Sequence, residues 1–238
     1  MKVVIFCGGL GTRLGEISEA IPKPMVKVGG EPLLIHIMKI FLSFGYRDFV
    51  LPLGYKSLYI KDYFDQKKLD QLGVNVELVE TGESTGTAKR LTLIADNLKG
   101  EERFFVTYGD GVSNLDLTQL LNFHLEHKKL ATMTVVHPPA RFGQITIDKS
   151  AAITSFNEKA PLIDSWINGG FFVFEKDVFE YLSSEDQMLE SEPLANLVKQ
   201  KQIMGFRHEG FWQCMDTPRD KRFLEQCCRE ETLPWMKF

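Results

Sequence analysis

Several stretches of this sequence carry residue types suited to handling phosphate. The loop Gly8-Gly9-Leu10-Gly11-Thr12-Arg13-Leu14-Gly15 follows a short apolar run. Glycine has no Cβ, so backbone amides in such a loop can come close to a phosphate, and Arg13 adds a permanently charged fork. It is not a dinucleotide fingerprint, because G-x-G-x-x-G starting at Gly9 needs glycine where Leu14 stands; it also lacks the GxxxxGK[ST] pattern. A glycine-rich turn bearing a surface arginine fits the same letters. In Ile21-Pro22-Lys23-Pro24-Met25, two prolines restrict the backbone around Lys23 and limit where its ammonium can reach, although a stiff loop with a solvated lysine reads the same way. Two carboxylates, Asp110 in Tyr108-Gly109-Asp110-Gly111 and Asp216 in Cys214-Met215-Asp216-Thr217, suffice for magnesium, which takes one or two carboxylates with substrate phosphates and water. Each also has a structural alternative, Asp110 as a turn residue and Asp216 as a helix N-cap. Lys159 and the run Ile167-Asn168-Gly169-Gly170 complete the set. That run puts an amide side chain and close-approach backbone before a strand, which suits a polyhydroxylated ligand or simply a tight turn.

These residues are useful only if the fold gathers them, and the periodicity predicts how. Short β-branched or aromatic runs at 2–7, 48–53, 74–80, 103–108 and 130–137 read as strands. Helical spacing at 32–44, 58–64, 88–98 and 115–127 alternates with them. Such alternation predicts an α/β fold, a Rossmann-like, mostly parallel sheet with helices on both faces. The rhythm then changes. Residues 144–148, 151–157 and 170–174 read as short strands added beside that sheet in the C-terminal half, and helices resume at 176–182, 192–201 and 218–228. No internal repeat or linker divides the chain, so a single domain over 1–238 is expected. In a parallel α/β sheet, ligands bind at the carboxyl ends of strands, where the glycine loop and Asp110 fall.

The charge balance narrows the partners. Lys plus Arg number 28 against 32 Asp plus Glu, a net of −4, with 44% hydrophobic residues. This composition argues against disorder and against a general nucleic-acid coat, so any polyanion must be held by a local arrangement of groups. Cys7, Cys214, Cys227 and Cys228 have no CxxC spacing, which argues against zinc and a disulfide framework. The first apolar run is too short for a signal peptide or a membrane span, giving a cytoplasmic expectation. The histidines show no metal-like spacing and read as helix or surface residues.

Together these segments resemble the sugar-phosphate nucleotidylyltransferases. The resemblance runs from Cys7-Gly8-Gly9-Leu10-Gly11-Thr12-Arg13-Leu14 and Pro22-Lys23-Pro24-Met25 through Thr107-Tyr108-Gly109-Asp110-Gly111-Val112 and Arg141-Phe142-Gly143. It continues to Ile167-Asn168-Gly169-Gly170-Phe171-Phe172-Val173, Gly210-Phe211-Trp212-Gln213 and Met215-Asp216-Thr217-Pro218-Arg219-Asp220. The Tyr-Gly-Asp-Gly and Met-Asp-Thr segments are similar to those of the cytidylyl branch. Two segments depart from that pattern: a short passage through Thr81-Gly82-Glu83-Ser84-Thr85-Gly86-Thr87-Ala88, and Glu158-Lys159-Ala160-Pro161 in place of Glu-Lys-Pro. The resemblance implies transfer of CMP from CTP to a sugar 1-phosphate, first of all glucose 1-phosphate, with a sister acceptor such as another sugar phosphate or phosphoglutamine, or another NTP, as the alternative. It implies Mg2+ on Asp110 and Asp216, with Gly8, Gly9, Gly11, Thr12 and Arg13 on the nucleotide phosphates and Lys23 at the α-phosphoryl. Gly82, Thr85 and Gly86 would face the base, Lys159 would hold the acceptor phosphate, and Gly143, Glu158, Asn168 and Gly169 would meet the acceptor's hydroxyls. It also implies a homo-oligomer without a nucleic-acid or membrane partner.

Overall fold

The computed structural model describes residues 1–238 except 10, 12–13, 16–19, 139–142, 159–164, 184 and 238. The chain opens on β1 (Val3–Phe6), a fully buried run that ends at the glycine loop. A small hairpin, β2 (Lys27–Val28) and β3 (Glu31–Pro32), leads into α1 (Leu33–Ser43). Leu34, Ile37, Met38 and Phe41 recur on the buried side of α1, and Gly45 takes φ 85° just beyond its end. β4 (Asp48–Leu53), α2 (Ser57–Tyr63), α3 (Gln66–Leu72) and β5 (Asn75–Glu80) follow. α3 was not anticipated. It contacts the core only through the half-buried Leu69 and Leu72, yet it is well capped: the Asp65 carboxylate accepts from the Lys68 amide, and Gly73 closes it at φ 64°.

α4 (Thr87–Leu93) tightens into a 3-10 turn at Ala95–Leu98, then come β6 (Arg103–Tyr108), β7 (Gly111–Ser113), α5 (Leu117–His127) and β8 (Ala131–Val136). β9 (Gln144–Ile147) and β10 (Ile153–Asn157) form a hairpin, and β11 (Ile167–Glu175) is the longest strand. A 3-10 segment at Lys176–Tyr181, α6 (Glu192–Lys199), β12 (Ile203–His208), β13 (Trp212–Cys214) and α7 (Pro218–Arg229) complete the main elements.

Seven strands form the main sheet in the order β12-β8-β11-β6-β1-β4-β5. The β6-β1-β4-β5 block is parallel, as is β8 with β12, whereas β11 lies antiparallel between β6 and β8. Alternation sends Val3, Ile5, Phe105 and Val173 into the core with α1, and Val4, Phe6, Val106 and Phe172 into the core with α4 and α6.

The α/β class with a mostly parallel, two-faced sheet agrees with the sequence reading; the placement of late strands differs. The strand read at 170–174 is not beside the sheet but inside it. It pairs with β6 on one side and β8 on the other, and its Phe171 to Phe174 run is buried on both faces. β9 and β10 form a separate two-stranded sheet, and β12, unread in the sequence, forms the sheet's far edge. All four cysteines are free. Among the described residues, no helix is long and apolar enough to cross a membrane.

Candidate functional site

The two aspartates meet because of one short pairing. β13 runs antiparallel to β7 with Cys214 opposite Gly111, so the residue before β7 lies beside those just after β13. The Met215 amide donates to the Asp110 carbonyl at 2.8 Å. Gly109 lets the Lys23 turn close on the same point: a Cβ there would stand 2.6 Å from the Phe6 carbonyl oxygen and 2.8 Å from Pro24 Cγ. Asp216 is not the cap of α7. That role belongs to Thr217, which shares a capping box with Asp220, while the Asp220 carboxylate also accepts from the Asp216 amide at 3.1 Å. The Asp216 side chain is thereby left to face the site.

Lys23 occupies the point where both carboxylates converge. Its Nζ donates to Asp110 Oδ2 at 2.5 Å and to Asp216 Oδ1 at 2.6 Å, from a 3-10 turn at Lys23–Met25 flanked by Pro22. The side chain is 12% exposed, which rules out the solvated-loop reading. Burial works to lower its pKa, but the charges and hydrogen bonds of Asp110 and Asp216 outweigh it and leave the ammonium more stable than an ordinary lysine's.

Around this triad opens a cavity of about 550 Å³, lined by Gly8, Gly9, Gly11, Lys23, Asp110 and Asp216, and on another side by Thr85, Thr87, Arg90, Tyr108 and Met188. The glycines do different things. Among the described residues, no heavy atom outside its neighbours lies within 4 Å of a Cβ built on Gly9, whereas a Cβ on Gly8 would fall 2.2 Å from the Arg90 guanidinium. Arg90, passed over in the sequence, is buried and ties three loops together. It donates to the carbonyls of Leu53 at 2.9 Å, Gly8 at 3.1 Å and Glu83 at 3.3 Å, and to the Thr81 hydroxyl. Its only sequence signal was a cation on the inward side of a helix. Of the expected base contacts, Thr85 lines the cavity, while Gly82 and Gly86 shape the loop without lining it. Gly82 turns at φ 91°, and Gly86 packs so closely on Gln187 that a Cβ would lie 2.3 Å from its carbonyl oxygen.

The expected acceptor contacts form two groups. Asn168 Nδ2 donates to the Tyr108 hydroxyl at 3.0 Å, which attaches the start of β11 to the cavity wall, and the Gly169 carbonyl accepts from Trp212 Nε1 at 2.7 Å. Gly143 and Glu158 flank the open end of the β9/β10 hairpin, where Gln144 pairs with Asn157. Neither pair of residues lines the cavity itself. Thr12, Arg13 and Lys159, with the adjoining Leu10, Arg141, Phe142, Ala160 and Pro161, lie outside the described residues.

Two carboxylates converging on one cation, with backbone amides alongside, can hold a polyphosphate and its counter-ion. Among the described residues, no group of three or more His, Cys, Asp or Glu side chains gathers as a metal cluster. Residues 2–216 match the nucleotidyl transferase family. The chain is 42% identical to the glucose-1-phosphate cytidylyltransferase of Salmonella typhimurium, over 99% of this chain and 98% of that enzyme. It is 41% identical to the probable glucose-1-phosphate cytidylyltransferase of Bacillus subtilis, over 91% and 92%. Its fold superposes on the crystal structure of HddC from Yersinia pseudotuberculosis with a TM-score of 0.74 at 26% identity, covering 97% of this chain and 99% of that one.

Proposed function

This chain belongs to the nucleotidyl transferase family, and from that premise we propose that it transfers CMP from CTP to glucose 1-phosphate, giving CDP-glucose and pyrophosphate. An oxygen of the sugar phosphate attacks the α-phosphorus of CTP, a new P–O bond forms, and the bond to the β-phosphate breaks as pyrophosphate leaves. Such a step depends on positioning and charge neutralisation more than on covalent help from the protein. The observation that carries the reading is the Lys23 ammonium held between Asp110 and Asp216 at the cavity wall. The 42% identity to a cytidylyltransferase over nearly the whole chain supports the choice of CTP and glucose 1-phosphate.

In this reading the amide of Gly9, with Gly11, Thr12 and Arg13, binds the β- and γ-phosphates. Lys23 sits where negative charge grows on the α-phosphoryl group. Thr85 contacts the base, Lys159 grips the acceptor phosphate, and Asn168, Gly169, Gly143 and Glu158 address the sugar. The donor set fits Mg2+: Asp110 and Asp216 are hard oxygen ligands that already converge on one positive charge, and substrate phosphates and water would complete the coordination. When bound, the ion supplies charge neutralisation to the nucleotide phosphates. The whole chain is taken as one cytoplasmic catalytic domain that assembles with copies of itself, and its product is a nucleotide-sugar donor for polysaccharide biosynthesis.

The test is pyrophosphate release from each of five nucleoside triphosphates against a panel of phosphorylated acceptors. CTP with glucose 1-phosphate should be the best pair. Faster release with another acceptor or nucleotide would overturn the assignment while leaving nucleotidylyl transfer intact.

A further inference from the structure

Glu190, in the turn before α6, belongs to no motif read from the sequence. Its carboxylate bridges two residues that line the cavity, Thr87 and Tyr108. Oε2 accepts from Thr87 Oγ1 at 2.8 Å, and Oε1 accepts from the Tyr108 hydroxyl. With its O–H directed at Glu190, Tyr108 presents lone pairs on its oxygen, and Asn168 Nδ2 donates to one of them at 3.0 Å. The Asn168 amide oxygen in turn accepts from the Gly170 amide at 2.8 Å. Burial, followed by the charge of Glu190, pushes the Tyr108 phenol up, so it stays a protonated donor. A continuous chain of hydrogen bonds therefore runs from the first residue of α4 to the start of β11.

The direction of each bond follows from the residue at its centre. An ionised carboxylate only accepts, so both hydroxyls must point their protons at Glu190. That leaves the Tyr108 oxygen as an acceptor, and this in turn commits one N–H of Asn168 and orients the other. We infer that Glu190 is a positioning residue that sets the Asn168 amide for the acceptor through the Tyr108 hydroxyl, and that it ties the start of β11 to the nucleotide side through Thr87. The inference rests on the proposed role of Asn168 toward the sugar phosphate.

The test is steady-state kinetics of the full chain with each substrate varied in turn, for Glu190→Ala, Glu190→Gln, Tyr108→Phe and the Glu190→Ala/Tyr108→Phe double variant. Glu190→Ala should raise the KM for glucose 1-phosphate about tenfold, with kcat and the KM for CTP changed less than about threefold, a split that reflects lost acceptor binding. Glu190→Gln keeps the shape but must donate at one of its two positions, so it should fall between wild type and Glu190→Ala. The double variant should be no worse than the poorer single one, because both break the same chain. An acceptor KM within twofold of wild type overturns the inference, as do equal rises for both substrates or single effects that multiply. A misfolded Glu190→Ala loses kcat and both substrates together, and the isosteric Glu190→Gln then decides the matter. If the wild-type protein releases no pyrophosphate from this substrate pair, the functional reading fails instead, and the same comparison is made with the acceptor that does react.

Discussion

Asp110 and Asp216, which hold Lys23, are also the carboxylates proposed to hold Mg2+, so a bound dication would compete with the lysine for them and would free it to face the phosphoryl group. This competition gives the two aspartates and the lysine different signatures. An amide in place of either carboxylate neither offsets a dication nor ligates it as well. We expect Asp110→Asn or Asp216→Asn to lower turnover at least about a hundredfold, with the circular dichroism spectrum unchanged. A near wild-type rate with magnesium in either variant removes the proposed metal site. Lys23→Ala should lower kcat by roughly two orders of magnitude, the scale of losing one electrostatic group at the reacting centre. Lys159→Ala should instead raise the KM for the acceptor more than that for CTP, because a grip on a ground-state phosphate is uniform binding. Steady-state assays that gave the reverse pattern would exchange the two assignments.

Single elements decide whether those residues meet. β7 and β13 are only three residues each, yet their register brings together Asp110 and Asp216, which are more than a hundred positions apart in sequence. The glycine loop depends on an element it does not touch in sequence, since Arg90 of α4 fills the space beside Gly8 and binds the Gly8 and Leu53 carbonyls. Hydrogen bonds from a charged donor contribute about 1.5 to 3 kcal/mol each, and carbonyls left unpaired in the interior add a desolvation cost. Arg90→Ala should therefore destabilise the fold by about 3 kcal/mol or more. Gly8→Ala should act in the same direction by forcing the guanidinium aside. Denaturant midpoints for the two variants check this, and an unchanged midpoint in both would mean that the arginine does not anchor the loop.

Across the whole molecule, the cavity lies where the order of the parallel strands reverses. From β1 the chain builds outward through β4 and β5, then returns to place β6 on the other side of β1; Phe6 and Tyr108, at the ends of those two strands, both line the cavity. Ligands bind at such a switch point because the loops after the two strands part there. In the proposed reading, base choice falls to the loop after β5, whose Glu83, Ser84 and Thr85 line the cavity. A pocket that accepts a hydrogen bond from cytosine's exocyclic amine leaves that acceptor unpaired when uracil arrives. We expect CTP to be preferred over UTP by at least about tenfold in kcat/KM, equivalent to about 1.4 kcal/mol. Competition between the two nucleotides in one reaction measures the ratio directly, and equal use would reject the cytidylyl reading.

Much of this was legible in the order of residues because it rests on local rules. The strands Asp48–Leu53 and Arg103–Tyr108 match their apolar runs residue for residue, the parallel sheet follows from alternation with helices, and Lys23, Asp110 and Asp216 stand out by the chemistry of their neighbours. What only the tertiary structure decided are pairings between distant segments. Nothing near residue 170 says that β11 enters the middle of the sheet, because its partners Val106 and Met133 lie 66 and 39 positions from Phe172. Nothing near Gly8 announces Arg90, and nothing near Asn168 announces Glu190, since each is an ordinary charged residue until folding puts its acceptors or donors within 3.3 Å. Periodicity reports which face of an element is buried, whereas a hydrogen bond between loops depends on where three or four separate elements come to rest.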